Sequence, residues 1–129
     1  MKIIKIETIE FNGEQREYDV VDRNLKGAPR YFIAYHEGRP FISDEVPQNY
    51  RPPMVFHELT EFEKLVGTDS PCLNSLKAEL KIVPEESRER YIKFRRAVFR
   101  ELIEYLECNT QNREFISEVR KSLNYLISQ

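Results

Sequence analysis

The order of apolar and polar residues changes character near the middle of the chain. Over Lys2 to Phe11, apolar Ile4, Ile6 and Phe11 alternate with charged residues, which reads as a strand. Asn12-Gly13 follows as a hairpin turn pair, and Glu17 to Val21 reads as the returning strand. Lys26-Gly27-Ala28-Pro29 reads as a loop, Arg30 to His36 as a third strand, Glu37-Gly38 as a tight turn and Arg39 to Ser43 as a short fourth strand. Asp44 to Pro53 holds Pro47, Pro52 and Pro53 and predicts an irregular connection.

Beyond it the period is helical. Pro52-Pro53 opens a helix predicted to run to Val66, with Gly67 as its stop. Ser70-Pro71 is a cap and first-turn pair for a second helix to Val83. Pro84-Glu85-Glu86 leads into a long third helix, Ser87 to Glu107. Thr110 to Arg113 breaks it, and a fourth helix runs to Ile127. The chain thus reads as one α+β domain over 1–129, with 1–50 mainly β as a small antiparallel sheet and 51–129 mainly α.

Helical wheels single out unusual positions. With His57 at zero and about 100° per residue, Met54, Val55, Leu59, Phe62, Leu65 and Val66 share a core face. Glu58 falls inside that face and Glu61 on its edge, while Thr60 and Lys64 fall on the wet side. A buried carboxylate without a partner costs several kcal/mol, so a cation, a hydrogen-bond network or a metal must compensate. On the second helix, Cys72 and Glu79 share the inward border beside Leu73, Leu76, Leu80 and Val83. If the two helices pack as a hairpin, His57, Glu61 and Glu79 converge. The plainer alternatives are a solvated Glu61–Lys64 pair, Cys72 as a small core residue, a hydrogen-bonded structural His57, and a salt bridge from Glu58 to an Arg or Lys.

Composition narrows the classes. The chain of 129 residues is 40% hydrophobic and 33% charged with net charge −2, which suits a globular protein and gives no general pull on nucleic acid. On the third helix Tyr91, Phe94, Val98, Leu102 and Tyr105 form the core stripe, and Arg90, Lys93, Arg96 and Arg100 are a solvated face diluted by Glu89, Glu101 and Glu104. No apolar run approaches the ~20 residues of a membrane span. Cys72 and Cys108 lack a CxxC spacing, and the N-terminus lacks the pattern of a secretory signal, so a reduced cytoplasmic setting is expected.

The run His57-Glu58-Leu59-Thr60-Glu61, with Glu79 on the following helix, resembles the gluzincin branch of the zincin metallopeptidases. It is more similar to small bacterial and phage zincin-like proteins with an H-E-[LT]-x-E motif, a glycine turn and a glutamate on the next helix; here that run is Gly67, Pro71-Cys72, Ser75 and Glu79. Two departures stand out. Glu61 replaces the second histidine of the zincins, as it does in the smaller family, and Cys72 stands where that family has histidine.

The resemblance implies a zincin-like fold and a metal site. His57 would supply a nitrogen, Glu61 and Glu79 carboxylate oxygens, and Cys72 either a fourth ligand or a neighbour of the site. Zn²⁺ suits this set, and Mn²⁺ or Fe²⁺ would be tolerated. Glu58 would be the general base of peptide or amide hydrolysis. Tyr35, His36, Tyr50 and Tyr91 are candidates to stabilise an oxyanion. Arg39 to Ser43 would receive an extended peptide or protein partner by strand addition at the sheet edge. The rival expectations are a non-catalytic interaction module on the same scaffold and a nucleic-acid-associated regulator using the arginine face of the third helix.

Overall fold

The computed structural model describes residues 2–22 and 27–129. Among the described residues four strands, β1 (Ile3–Phe11), β2 (Glu14–Val21), β3 (Ile33–His36) and β4 (Arg39–Ser43), precede four α-helices, α1 (Arg51–Leu59), α2 (Pro71–Ile82), α3 (Arg88–Asn109) and α4 (Arg113–Ile127). This is the expected α+β division. Both hairpin turns are two residues long with positive φ at each position: Asn12 (53°) with Gly13 (79°), and Glu37 (49°) with Gly38 (80°). That backbone matches the twist of the flanking strands, so pairing starts at once, with Phe11 opposite Glu14 and His36 opposite Arg39. β2 therefore begins earlier than the pattern alone suggested.

The sheet order is β1-β2-β4-β3. The two hairpins are antiparallel, but β2 and β4 pair in parallel through Asp19 to Val21 and Phe41 to Ser43. The sheet is mixed rather than antiparallel, because the second hairpin slots in with its later strand beside β2. β4 thus has a neighbour on each side and offers no free edge. The strand addition expected at Arg39 to Ser43 has no place there; the edges belong to β1 and β3. β3 starts at Ile33 rather than Arg30. Arg30 and Tyr31 form a turn, and the Tyr31 N–H bonds the Glu101 carboxylate of α3 at 3.0 Å instead of a strand partner. The loop expected to begin at Lys26 has its first residue outside the described residues.

The helices bury their apolar stripes against the sheet and each other. α1 contacts β1, β3, β4 and α2, and α4 contacts α2 and α3. Val20 and Ile42 of the sheet, Met54 and Leu59 of α1, Leu76 of α2, Phe99 of α3 and Val119 of α4 belong to one core. Each such side chain contributes on the order of 1.5–3 kcal/mol when fully buried. No helix among the described residues is long and apolar enough to cross a membrane.

α1 does not continue regularly to Val66. It gives way to a π-helical turn, Thr60–Lys64, in which the Leu65 N–H bonds the Thr60 carbonyl at 3.0 Å. The wider turn rotates everything after it away from the regular wheel. Phe62 and Val66, expected inside, are 44% and 68% exposed. Thr60, expected on the wet side, is buried and its hydroxyl donates to the Phe56 carbonyl at 2.7 Å. At α2, Ser70 is the residue before the helix but takes φ +50° and makes no side-chain cap. The orphan N–H of Cys72 donates instead to the Glu118 carboxylate of α4 at 2.6 Å, tying α2's first turn to α4.

Candidate metal centre

The start of α1 is held in place by Arg51. Its side chain is buried, donates to the carbonyls of Val46 (3.0 Å) and Asp44 (3.2 Å), and pairs with Glu7 of β1 at 3.3 Å. Two turns along, His57 is buried, and its two ring nitrogens face different chemistry.

On the Nδ1 side lies Glu79 of α2. Its Oε1 is 2.8 Å from Nδ1. The same carboxylate accepts from Arg95 of α3, Oε2 from Nε at 2.7 Å and Oε1 from Nη2 at 3.0 Å, and Oε2 also accepts from the Tyr91 hydroxyl. Glu79 is wholly buried, and burial alone would raise its pKa. The Arg95 charge and the His57 bond outweigh that and hold the carboxyl below its usual value. Burial also pushes the Tyr91 hydroxyl well up, reinforced by the Glu79 charge.

On the Nε2 side lie Glu61, at 3.0 Å through Oε1, and Cys72, at 3.9 Å through Sγ. Ligand atoms of His57, Glu61 and Cys72 all lie within 4.8 Å of one another, so this group could hold a metal ion. The Ser122 hydroxyl of α4 donates to the Cys72 sulfur at 3.2 Å. Burial by itself would lower the His57 pKa, but hydrogen bonds to Cys72, Glu61 and Glu79 raise it well above the usual histidine value.

Of the expected ligands, the structure therefore brings His57, Glu61 and Cys72 together. Glu79 sits on the opposite side of the imidazole, with both oxygens committed to His57, Arg95 and Tyr91. It orients the ring rather than joining the cluster, because the arginine opposite claims the carboxylate. Glu58 is buried as the wheel indicated, but no salt bridge to it exists among the described residues. Burial pushes its carboxyl up to about 8, with Glu61 adding to the shift and His57 and Arg95 opposing it.

Glu58, Glu61, His57 and Cys72 all line a cavity of about 440 Å³ between the β3 edge, α1, α3 and α4. Its other walls are largely aromatic and aliphatic, including Phe41, Phe62, Phe99, Leu102 and Phe115. Of the oxyanion candidates only Tyr35 lines it, and the Tyr35 hydroxyl is engaged with Glu63 at 2.6 Å. Tyr50 packs on Tyr91 and Phe94, and His36 is exposed.

Arg95, Ser122 and Glu118 are the residues the pattern reading passed over. Arg95 had a signal: at about 100° per residue it falls within ~40° of Tyr91 on the apolar stripe of α3. An arginine on one buried stripe and Glu79 on another predict a buried pair. Ser122 and Glu118 carry no comparable mark. No family model, curated protein or solved structure matches the chain.

Proposed function

We propose that the protein is a metal-dependent hydrolase of amide or peptide bonds, with Zn²⁺ as the metal. The reading is carried by the juxtaposition of a nitrogen, oxygen and sulfur donor set with a free buried carboxyl on one cavity. The donor set fits zinc. Zn–N of about 2.0 Å and Zn–S of about 2.3 Å at a tetrahedral angle separate the two ligand atoms by about 3.5 Å, and two first-row donors by about 3.3 Å. The observed separations, 3.9 Å for nitrogen and sulfur and 3.0 Å for nitrogen and oxygen, straddle those values. Three protein ligands leave a fourth position open.

A zinc ion there supplies Lewis acidity to a carbonyl and to water. The remaining work falls to the side chains. Glu79 accepts the Nδ1 proton of His57, which leaves Nε2 as the donor atom and fixes the ring's orientation. Arg95 and Tyr91 keep Glu79 ionised and immobile. Ser122 hydrogen-bonds Cys72 and orients its sulfur. Glu58 takes the proton of the attacking water and returns it to the leaving amine. Positive charge at the donor group favours its ionised form and so draws its pKa down from the metal-free value.

The test is metal content after equilibrium dialysis against zinc, with Glu61→Gln and Cys72→Ser beside the parent. One ion per chain, lost or weakened at least tenfold in each variant, is expected. Hydrolysis of a fluorogenic peptide library by the loaded protein, abolished in Glu58→Gln with the metal retained, completes the reading. A protein that takes no zinc is better read as a non-catalytic interaction module.

One observation favours a second reading. Cys72, His57 and Glu79 are arranged as nucleophile, base and orienting acid, with the sulfur 3.9 Å from Nε2. Glu61 occupies Nε2 at 3.0 Å and weakens that reading. A catalytic thiol would stay active in Glu61→Gln and be destroyed by iodoacetamide with no metal present.

A further inference from the structure

One side chain on the cavity has a nitrogen that neither the donor set nor hydrolysis uses. Arg95 is 3% exposed and lines the cavity. Its Nε and Nη2 are spent on Glu79. Its Nη1 has no hydrogen-bond partner among the described residues. The guanidinium lies over the Phe99 ring at 4.6 Å, and that ring stands 6.4 Å from the His57 ring. The guanidinium therefore belongs to the wall that also carries the donor cluster.

An arginine so deeply buried is expected to fill its hydrogen-bonding capacity, because an unmet donor in a dry site is costly. The protein meets two nitrogens and leaves the third without a hydrogen bond among the described residues. The rest of the lining sets the shape of what arrives. Phe41, Leu102, Phe115 and Val98 offer no hydrogen bond, and Arg95 is the one permanent cation among the lining residues. About 440 Å³ lies within the range of small-molecule sites, and such sites combine apolar walls with a few placed polar groups.

We propose that the cavity is a recognition site for a compact apolar ligand, aromatic or branched aliphatic, that ends in a carboxylate or carbonyl oxygen to which Arg95 Nη1 donates. If the hydrolase reading holds, this defines the substrate as one with a single hydrophobic group next to the oxygen that Arg95 holds. The inference itself needs no metal, since every group in it is in place in the chain alone. Both forms gain a charge-assisted bond from the guanidinium, and the carboxylate form the stronger one because both partners are then ionised. A ligand ending in an ammonium has no lone pair to accept a hydrogen bond from Nη1 and is disfavoured.

Metal-stripped protein titrated with 3-phenylpropanoate, 3-phenylpropanamide, 3-phenylpropanol and 3-phenylpropylammonium tests this, with binding read by saturation-transfer and amide-shift NMR. The carboxylate and the amide are expected to bind at least about tenfold more tightly than the ammonium. Leu102→Trp fills the apolar space without touching the Arg95–Glu79 pair and is expected to lose both ligands. Arg95→Lys, checked for folding by its amide spectrum, is expected to bring the carboxylate and amide down to the level of the alcohol. Equal binding of all the compounds, binding by none, or binding unchanged in Leu102→Trp would overturn the proposal. A protein that prefers the carboxylate yet holds no zinc and cleaves nothing refutes the hydrolase and keeps this site. A zinc hydrolase without the preference does the reverse.

Discussion

The two sides of the His57 ring are built on opposite principles. Behind Nδ1, both carboxylate oxygens of Glu79 are committed: they bind the ring, Arg95 and Tyr91, and neither oxygen is left over. In front of Nε2, Glu61 and Cys72 crowd one nitrogen, Glu58 has no hydrogen bond among the described residues, and an apolar cavity begins. The two buried glutamates make the difference plain. Glu79 is the more deeply buried, yet its pKa is lowered, whereas that of Glu58 is pushed up to about 8. Burial sets the cost for both, and partners decide which form survives. A closed side holds the imidazole rigid, so that the open side can present unsatisfied donors without collapsing.

Removing the closed side should have the largest effect. Glu79→Gln takes the charge from a buried pair and leaves Arg95 uncompensated, which is expected to cost roughly 3–5 kcal/mol in urea unfolding. A loss within about 1 kcal/mol would show that the network is ornamental to folding. The open side should respond in the opposite sense. Between pH 4.5 and about 8 the Glu58 carboxyl binds a proton in the native state and not in the unfolded one. The metal-free protein therefore loses stability as pH rises through that window. Glu58→Gln carries no such proton, so its stability should fall less steeply, with a gap on the order of a few kcal/mol by the top of the window. Parallel pH profiles for the two proteins would remove the contrast between the acids. Because the His57 pKa is raised, its stabilisation is likewise lost as pH rises, in both proteins. The smallest effect is expected from Ser122→Ala, about 0.5–1.5 kcal/mol for one buried hydrogen bond, with zinc affinity weakened as the Cys72 sulfur loses its orienting partner. An unchanged affinity would confine Ser122 to packing.

The same contrast explains what could be read from the residues in order. The turns at Asn12-Gly13 and Glu37-Gly38 were legible because positive φ at consecutive positions restricts the residue types. The inward placement of Glu58, Cys72 and Glu79 was legible because their helices are regular up to that point. The exposure of Phe62 and Val66 was not, since one widened turn at Thr60–Lys64 shifts every later residue around the axis and leaves no compositional trace. The parallel pairing of β2 with β4 escaped for a related reason: turn chemistry specifies pairing within a hairpin, not between hairpins. Within the site, His57, Glu61 and Cys72 were found as candidates. The different station of Glu79 was not, because it depends on Arg95 arriving from a third helix, a contact that sequence spacing on α1 and α2 does not encode.

The central claim is that His57 Nε2, Glu61 and Cys72 hold one ion together. X-ray absorption at the zinc edge of the loaded protein measures that directly. The account predicts one sulfur at about 2.3 Å together with nitrogen and oxygen neighbours at about 2.0–2.2 Å, the sulfur shell vanishing in Cys72→Ser. A first shell of light atoms alone, or a spectrum identical to that of zinc in buffer, would contradict it.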